Sequence, residues 1–353
     1  MKMRKLGKNG PEISVISMGT RTMEKEKEGI KAVEASLEVG INFIDTAPNY
    51  GRNKAEKILG EIISEYRGDI ILATKTGYRF TEEGVMPDCS YENISTLLEQ
   101  SLERLNTKYV DVLQVHGPDP KIDIKKIVQN LEKLVEEGKV RYLGFSNHSL
   151  LSLEKIDSDN VICIQDCLNI LYSKAINGKL PLCKEKGWGF IAYMPLFMGI
   201  LANAYTHEKF LLLEKTFPQC NEEIVKNLEK FAEDLNNLAR DFDVTSGQLA
   251  LGWVINQENV TTAIQGSLDP THIKENAQAI EIENDAVEAV ENLRKESAIK
   301  TFSIIETQII KIKEIDGVVM ALLDLGAWIE APKNIKTGDK IKIDALDGSI
   351  IRE

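Results

Sequence analysis

The sequence predicts an α/β fold, a (β/α)8 TIM barrel followed by a small C-terminal β module. Three observations point there. From residue 12 to 280, short apolar runs alternate with longer amphipathic ones, and the short runs number eight. They are near-continuous strings rich in Ile and Val, as expected for parallel strands buried on both faces. After about residue 300 the period shortens and hairpin-type turns replace helices.

The first residues, MRKLGKNGPEISV, read as a hairpin turning at Lys8-Asn9-Gly10, placed to plug the bottom of a barrel. The strands that follow are VISMG (15–19), INFID (41–45), IILATK (70–75), VDVLQVH (110–116), VRYLGFSN (140–147), VICIQ (161–165), GFIAYMP (189–195) and TTAIQG (261–266). Helices are expected over 25–39, 53–65, 91–104, 124–137, 222–240, 270–279 and 283–298. Ser90 with Asn93 offers an N-cap, and Gly40 and Gly138 stand where helices stop. A doubly wound dinucleotide-binding sheet would show G-x-G-x-x-G leaving its first strand. The nearest match, Gly187, Gly189 and Ala192, leads into a strand instead, so the count of eight favours the barrel. Residues 1–298 are therefore expected to form the barrel. Residues 301–353 are expected to form an antiparallel module with strands at 309–315, 318–323, 340–345 and 349–351. Its turns are expected at Asp316-Gly317, Lys336 to Asp339 and Asp347-Gly348, and Trp328 is expected to anchor it.

Composition excludes several functions. The chain has 353 residues, 43 Lys+Arg against 55 Asp+Glu, and a net charge of −12. Nucleic acid and anionic membrane surfaces call for a basic face, so neither is an expected partner. The N-terminal residues hold no apolar signal segment. The apolar stretch from Gly189 to Ala204 is broken by Pro195 and Gly199 and reads as strand and loop. Five cysteines without metal spacing fit buried thiols in a reducing cytoplasm, and no metal site is expected. A metal-dependent barrel hydrolase is disfavoured for the same lack of ligand spacing.

In a barrel, chemistry sits at the C-terminal strand ends. Strand two ends in Asp45, strand three in Lys75 and strand four in His116, and Tyr50 follows Asp45 on its loop. Three adjacent strands can bring these four side chains to one point, and the set suits carbonyl reduction. A phenol, with an ordinary pKa near 10, can donate a proton to a developing alkoxide. A neighbouring ammonium favours the phenolate. A carboxylate holds the ammonium charged, and a histidine can hydrogen-bond the substrate oxygen. Taken singly, each residue has a plain structural reading as cap, loop charge or packing group; taken together they point to catalysis.

These segments resemble the aldo-keto reductases. GINFIDTAPNYG (40–51) is similar to their second-strand motif, LATKTG (72–77) to the catalytic-lysine segment, and SLERLNTKYVDVLQVHGPDP (101–120) to the run leading to the catalytic histidine. The resemblance implies that Tyr50, Asp45, Lys75 and His116 are catalytic and that the cofactor is nicotinamide-based, with NADP(H) favoured and NAD(H) accepted. It implies cofactor contacts at Gly19, Thr20 and Asp45, at Ser146 and Asn147 for the carboxamide with Gln165 as partner, and at Tyr193 stacked on the ring. Met194 and Leu196 follow on the same loop. AIQGSLDPTHIKEN (263–276) resembles the adenosine-phosphate segment, implying contacts at Gly266, Ser267, His272, Glu275 and Asn276. The resemblance spans about residues 3–297.

Three departures stand out. Met194 replaces a usual serine, and His272 replaces a frequent arginine. The usual C-terminal loop gives way to the β module, a candidate surface for self-association. The implied activity is reversible reduction of a small-molecule aldehyde or ketone. The alternative is a regulatory or scaffold subunit that binds cofactor on the same barrel.

Overall fold

The structure is a computed structural model. It describes residues 1–81, 84–204, 222–297, 304–315, 318–323, 328–331, 334–344 and 350–351. Eight parallel strands close into a barrel in sequence order: β1 (Ile16–Gly19), β2 (Phe43–Asp45), β3 (Ile71–Thr76), β4 (Val110–Val115), β5 (Val140–Ser146), β6 (Val161–Cys167), β7 (Gly189–Tyr193) and β8 (Val260–Gln265), which pairs back onto β1. The eight apolar runs are these eight strands, with ends moved by a residue or two.

The outer helices are α1 (Glu26–Glu38), α2 (Ala55–Tyr66), α3 (Tyr91–Arg104), α4 (Ile124–Glu136), α5 (Leu150–Glu154), α6 (Lys179–Lys186), α7 (Glu222–Asp241), α8 (Ser246–Ile255), α9 (Pro270–Ala277) and α10 (Asn284–Glu296). Ser90 caps α3 by accepting from the Asn93 N–H. Gly40 and Gly138 take the left-handed conformation just past α1 and α4. Helix α8 carries no amphipathic period because every one of its residues is buried, which is why its pattern is silent in the sequence.

Side chains alternate along each strand between the lumen and the helix layer. On β4, Val112 belongs to the lumen cluster, whereas Leu113 and Val115 pack under the helices. The lumen floor is sealed by the N-terminal hairpin, whose strands Met3–Lys5 and Glu12–Ser14 pair in register. Its Leu6 and Ile13 are fully buried against Phe43, Ala73, Val112 and Ile191. The Lys8 N–H also bonds the Gly187 carbonyl at the entry to β7. The plug stands as expected, but its turn differs: the left-handed residue is Gly7, not Asn9 or Gly10. At Gly7 a Cβ would lie 2.4 Å from the Ile162 carbonyl oxygen, so the close approach to the barrel selects this glycine.

Two β elements lie outside the barrel. An antiparallel hairpin, Tyr78–Thr81 with Gly84–Pro87, rises after β3 and was not expected from the sequence. The C-terminal strands form a five-stranded antiparallel sheet from β9 (Ile304–Ile315), β10 (Val318–Leu323), β11 (Trp328–Ala331), β12 (Lys340–Asp344) and β13 (Ile350–Ile351), in the order β11-β10-β9-β12-β13. The expectation was four strands; β11 is the addition, and β9 starts five residues earlier than read. The Lys336 to Asp339 turn forms, closed by the Asp339 N–H on the Lys336 carbonyl with Gly338 at φ 94°. The turns at Asp316-Gly317 and Asp347-Gly348 and the side chain of Trp328 lie outside the described residues. So does Cys220, whereas Cys89, Cys163, Cys167 and Cys183 are buried thiols outside any disulfide, as expected. Among the described residues no helix is long and apolar enough to cross a membrane, and no group of His, Cys, Asp or Glu is arranged to hold a metal.

Candidate active site

Asp45, Lys75 and His116 come together at the C-terminal mouth of the barrel because their strands are neighbours and all three lie on the lumen-facing period. The Lys75 ammonium lies 2.5 Å from Asp45 Oδ2 and donates at 3.0 Å to the Thr46 carbonyl. Asp45 Oδ1 accepts from Gln114 Nε2 at 3.0 Å and from Gln165 Nε2 at 2.8 Å. Both charged side chains are essentially inaccessible to solvent. The Lys75 Nζ sits 4.7 Å from the centre of the Tyr50 ring. The Tyr50 ring meets the His116 ring edge-on at 5.9 Å.

The electrostatics follow from burial. Desolvation alone would pull the Lys75 ammonium down, but the Asp45 charge, then Tyr50, more than offset it and hold Lys75 above the ordinary lysine value. His116 goes the other way: burial, reinforced by the positive charges of Lys75 and Arg21, pulls it down to about 3. It is therefore a neutral imidazole at physiological pH, able to give a hydrogen bond but carrying no charge. Burial, then the nearby Cys89 and Tyr50, raises Tyr78 above the ordinary phenol value, so this second tyrosine beside His116 stays a neutral hydroxyl.

Tyr50 is aimed by an unusual turn. Gly51, Arg52 and Asn53 are left-handed, at φ 55°, 53° and 67°. At Gly51 a Cβ would come 1.7 Å from the Met23 carbonyl oxygen, and the Gly51 N–H bonds the Arg21 carbonyl. Only glycine lets the loop press onto the segment after β1, and that contact fixes the residue beside it.

The expected cofactor residues ring the same mouth. Gly19 ends β1 where a Cβ would strike Ile264, and the N–H and hydroxyl of Thr20 both bond the Asp45 carbonyl. Ser146 ends β5. Asn147, left-handed at φ 60°, donates to the His116 carbonyl and to Ser146 Oγ and accepts from the Tyr193 hydroxyl at 2.8 Å. Met194 is left-handed and Leu196 opens a 3-10 turn over Phe197–Ala202. Gln165 spends its amide on Asp45 in this structure.

At the β8 end, the Ser267 N–H bonds the Gln265 side chain and Ser267 Oγ lies 3.5 Å from His272 Nδ1. Gly266 and His272 are exposed. Asn276 is buried, and Glu275 accepts from the Thr245 hydroxyl. At the N-terminus of α9 the Asp269 carboxylate takes the Thr271 N–H, so that donor is spoken for and an anion already stands there. Lys274 turns away to pair with Glu38, as its position on the helix requires.

The set fits a nicotinamide dinucleotide in kind. Amide, hydroxyl and aromatic groups from β5 to β7 flank the reactive cluster, and Gln114 Oε1 and Gln265 Nε2 are buried at the mouth with no hydrogen-bond partner.

Three contributors escape a reading of strand ends alone. Gln114 was signalled by a polar residue inside an apolar strand, two positions before His116. Arg21 and Tyr78 gave no signal, because their role depends on which loops meet.

The sequence profile of the Aldo/keto reductase family matches residues 15–295, ending before the C-terminal sheet. The chain belongs to this family. "Uncharacterized oxidoreductase YqkF" of Bacillus subtilis (strain 168) is 31% identical over 290 residues, spanning 79% of this chain and 91% of that protein. "Aldo-keto reductase YhdN" of the same organism is 29% identical over 291 residues, 78% and 87% of the two chains. The solved glycerol dehydrogenase AKR11B4 from Gluconobacter oxydans superposes with a TM-score of 0.76. It covers 84% of this chain and 96% of its own at 24% identity, a likeness of fold.

Burial of histidine makes a stability prediction. His148 is buried behind Ser146, bonds the Ser146 carbonyl through Nδ1, and burial pulls it from 6.5 to about 4. The unfolded chain takes up this proton first as pH falls, so stability is full above about 6.5 and declines towards 4, by at most about 1.4 kcal/mol per pH unit. Urea midpoints at pH 7 and pH 5 should therefore differ less in His148→Asn than in the parent. An equal difference would mean that His148 is not titrating across unfolding.

Proposed function

We propose that the chain catalyses the reversible, NAD(P)H-dependent reduction of an aldehyde or ketone to an alcohol, with Tyr50 as proton donor. The observation that carries this reading is the Tyr50 ring set against a buried ammonium, which Asp45 holds charged, with a neutral His116 at its edge. The nicotinamide, when bound, supplies the hydride for the carbonyl carbon. Tyr50 gives its phenolic proton to the oxygen where charge develops. The Lys75 ammonium stabilises the tyrosinate left behind. His116, being neutral, offers a ring N–H to the same oxygen and does not compete as an acid. Gln114 and Gln165 position Asp45, which keeps the lysine in place. Ser146, Asn147 and Tyr193 would hold the nicotinamide end; Gly266, Ser267, His272 and Asn276 would hold the adenosine end.

Tyr50→Phe is expected to lower kcat/KM for a small aldehyde by roughly 10²–10⁴-fold while cofactor still binds by calorimetry. Lys75→Met should fall similarly. Turnover near the parent's in Tyr50→Phe would remove Tyr50 from the role. A parent that binds cofactor but reduces no aldehyde would instead favour a regulatory subunit.

For the cofactor we infer that NADP(H) is accepted with only a small advantage over NAD(H). A guanidinium offers a permanent charge and paired donors that an imidazole does not, and Asp269 adds an opposing charge beside the expected phosphate. His272→Arg should raise the NADPH-to-NADH ratio of kcat/KM at pH 6 and at pH 8. An unchanged ratio would place the 2′-phosphate elsewhere.

We also infer a cytoplasmic protein of two units, residues 1–298 and 301–353, with the second a surface for self-association. Chain shortened at residue 300 should stay folded by circular dichroism and become smaller in assembly by sedimentation. Unfolded product would make the sheet part of the core.

A further inference from the structure

We propose that the hairpin Tyr78–Thr81 with Gly84–Pro87 is the substrate-selecting wall of the site, and that the preferred substrate is a carbonyl compound with an extended apolar tail. The proposal rests on the carbonyl-reduction reading above.

Tyr78 ties the hairpin to the reacting centre. Its ring lies 5.3 Å from the His116 ring, tilted against it at 51°. Its hydroxyl packs down on Gly117, where a Cβ would come 2.3 Å from it. An isolated two-stranded hairpin is marginal in water, so its base must be held. The Asp88 N–H bonds the Gly77 carbonyl, and Asn93 Nδ2 donates to the carbonyls of both Tyr78 and Asp88. Arg79 pairs with Asp88.

The register then decides what the wall presents. Tyr78 pairs with Pro87 and Phe80 with Val85, so these four share one face, the face that Tyr78 turns to His116. Phe80 and Val85, two residues further out and so about 7 Å from Tyr78 along the strand, continue that face as an apolar pair. They are 40% and 55% exposed. Arg79 and Met86 pair on the opposite face. Among the described residues, three of the five exposed large hydrophobics fall on this one hairpin. Solvent-exposed apolar groups continuous with a reactive centre are what a substrate tail would cover.

The test measures kcat/KM for propanal, hexanal and decanal in full-length parent, in Phe80→Ser/Val85→Ser, and in Met86→Ser. In the parent the values should climb with chain length, by about two- to fourfold for each methylene that reaches the pair. Phe80→Ser/Val85→Ser should lower the decanal-to-propanal ratio by about tenfold or more. Met86→Ser, on the other face, should leave the ratio as it is. A ratio unchanged in the double variant, or lowered equally by Met86→Ser, would overturn the proposal. If the parent reduces none of the three, the reaction itself is wrong. The wall is then judged by calorimetry with decan-1-ol, where equal affinity in parent and double variant overturns it and weaker affinity in the variant supports it. Loss of a protein partner without any change in either measurement would assign the patch to docking instead.

Discussion

A lysine and an aspartate buried together inside the barrel govern the rest of the structure. Removing two charges from water costs several kcal/mol each, and only close pairing plus further hydrogen bonds offsets that. Here the offset comes from Thr46 on the lysine side and from Gln114 and Gln165 on the carboxylate side. Those partners arrive from just past β2 and from β4 and β6, so the pair pins together alternate strands around the ring. Removal of either partner would leave an uncompensated charge in a closed lumen. The apolar floor of Leu6, Ile13, Phe43 and Ile191 keeps water out from below, and this dryness makes the lysine an effective neighbour for a phenol.

Backbone strain gathers on the same face. Asn106, Asp243 and Asn259 are left-handed too, but Asn and Asp tolerate that conformation well. Arg52, Met194, Phe197 and Met198 do not, and they belong to the loops after β2 and β7, which carry Tyr50 and follow Tyr193. Surrounding contacts must over-determine such residues for them to persist. At Gly51 the determinant is visible: the loop lies against the Met23 carbonyl. Rigid strands thus supply Asp45 and Lys75, and strained loops supply Tyr50 and the segment that follows Tyr193.

The two ends of the mouth differ in charge. At the end where Tyr50 and His116 meet, the Lys75 ammonium is held dry and is balanced by the Asp45 carboxylate, with the amides of Gln114 and Gln165 completing the cluster. At the β8 end Asp269 caps α9, Glu275 ties α9 to Thr245, and Lys274 is drawn off to Glu38. No described lysine or arginine side chain from α9 faces back to Ser267 and His272, so polar and acidic groups dominate there.

The sequence by itself determined the eight strands, because a strand buried on both faces must be written as an apolar run. It determined the positions of Asp45, Lys75 and His116, because period-two alternation and strand ends fix which residues reach the mouth. Helix α8 was invisible because complete burial erases the amphipathic stripe. The hairpin after β3 was invisible because its strands are short and its apolar residues exposed. Only the tertiary structure decided that Gln114 and Gln165 converge on one carboxylate oxygen and that Tyr78 lies on His116. It also decided that Gly7, not Asn9-Gly10, carries the plug's left-handed turn. Each of these depends on which backbone from a distant segment comes within a few ångströms. Local sequence cannot encode that distance, because closure of the ring sets it.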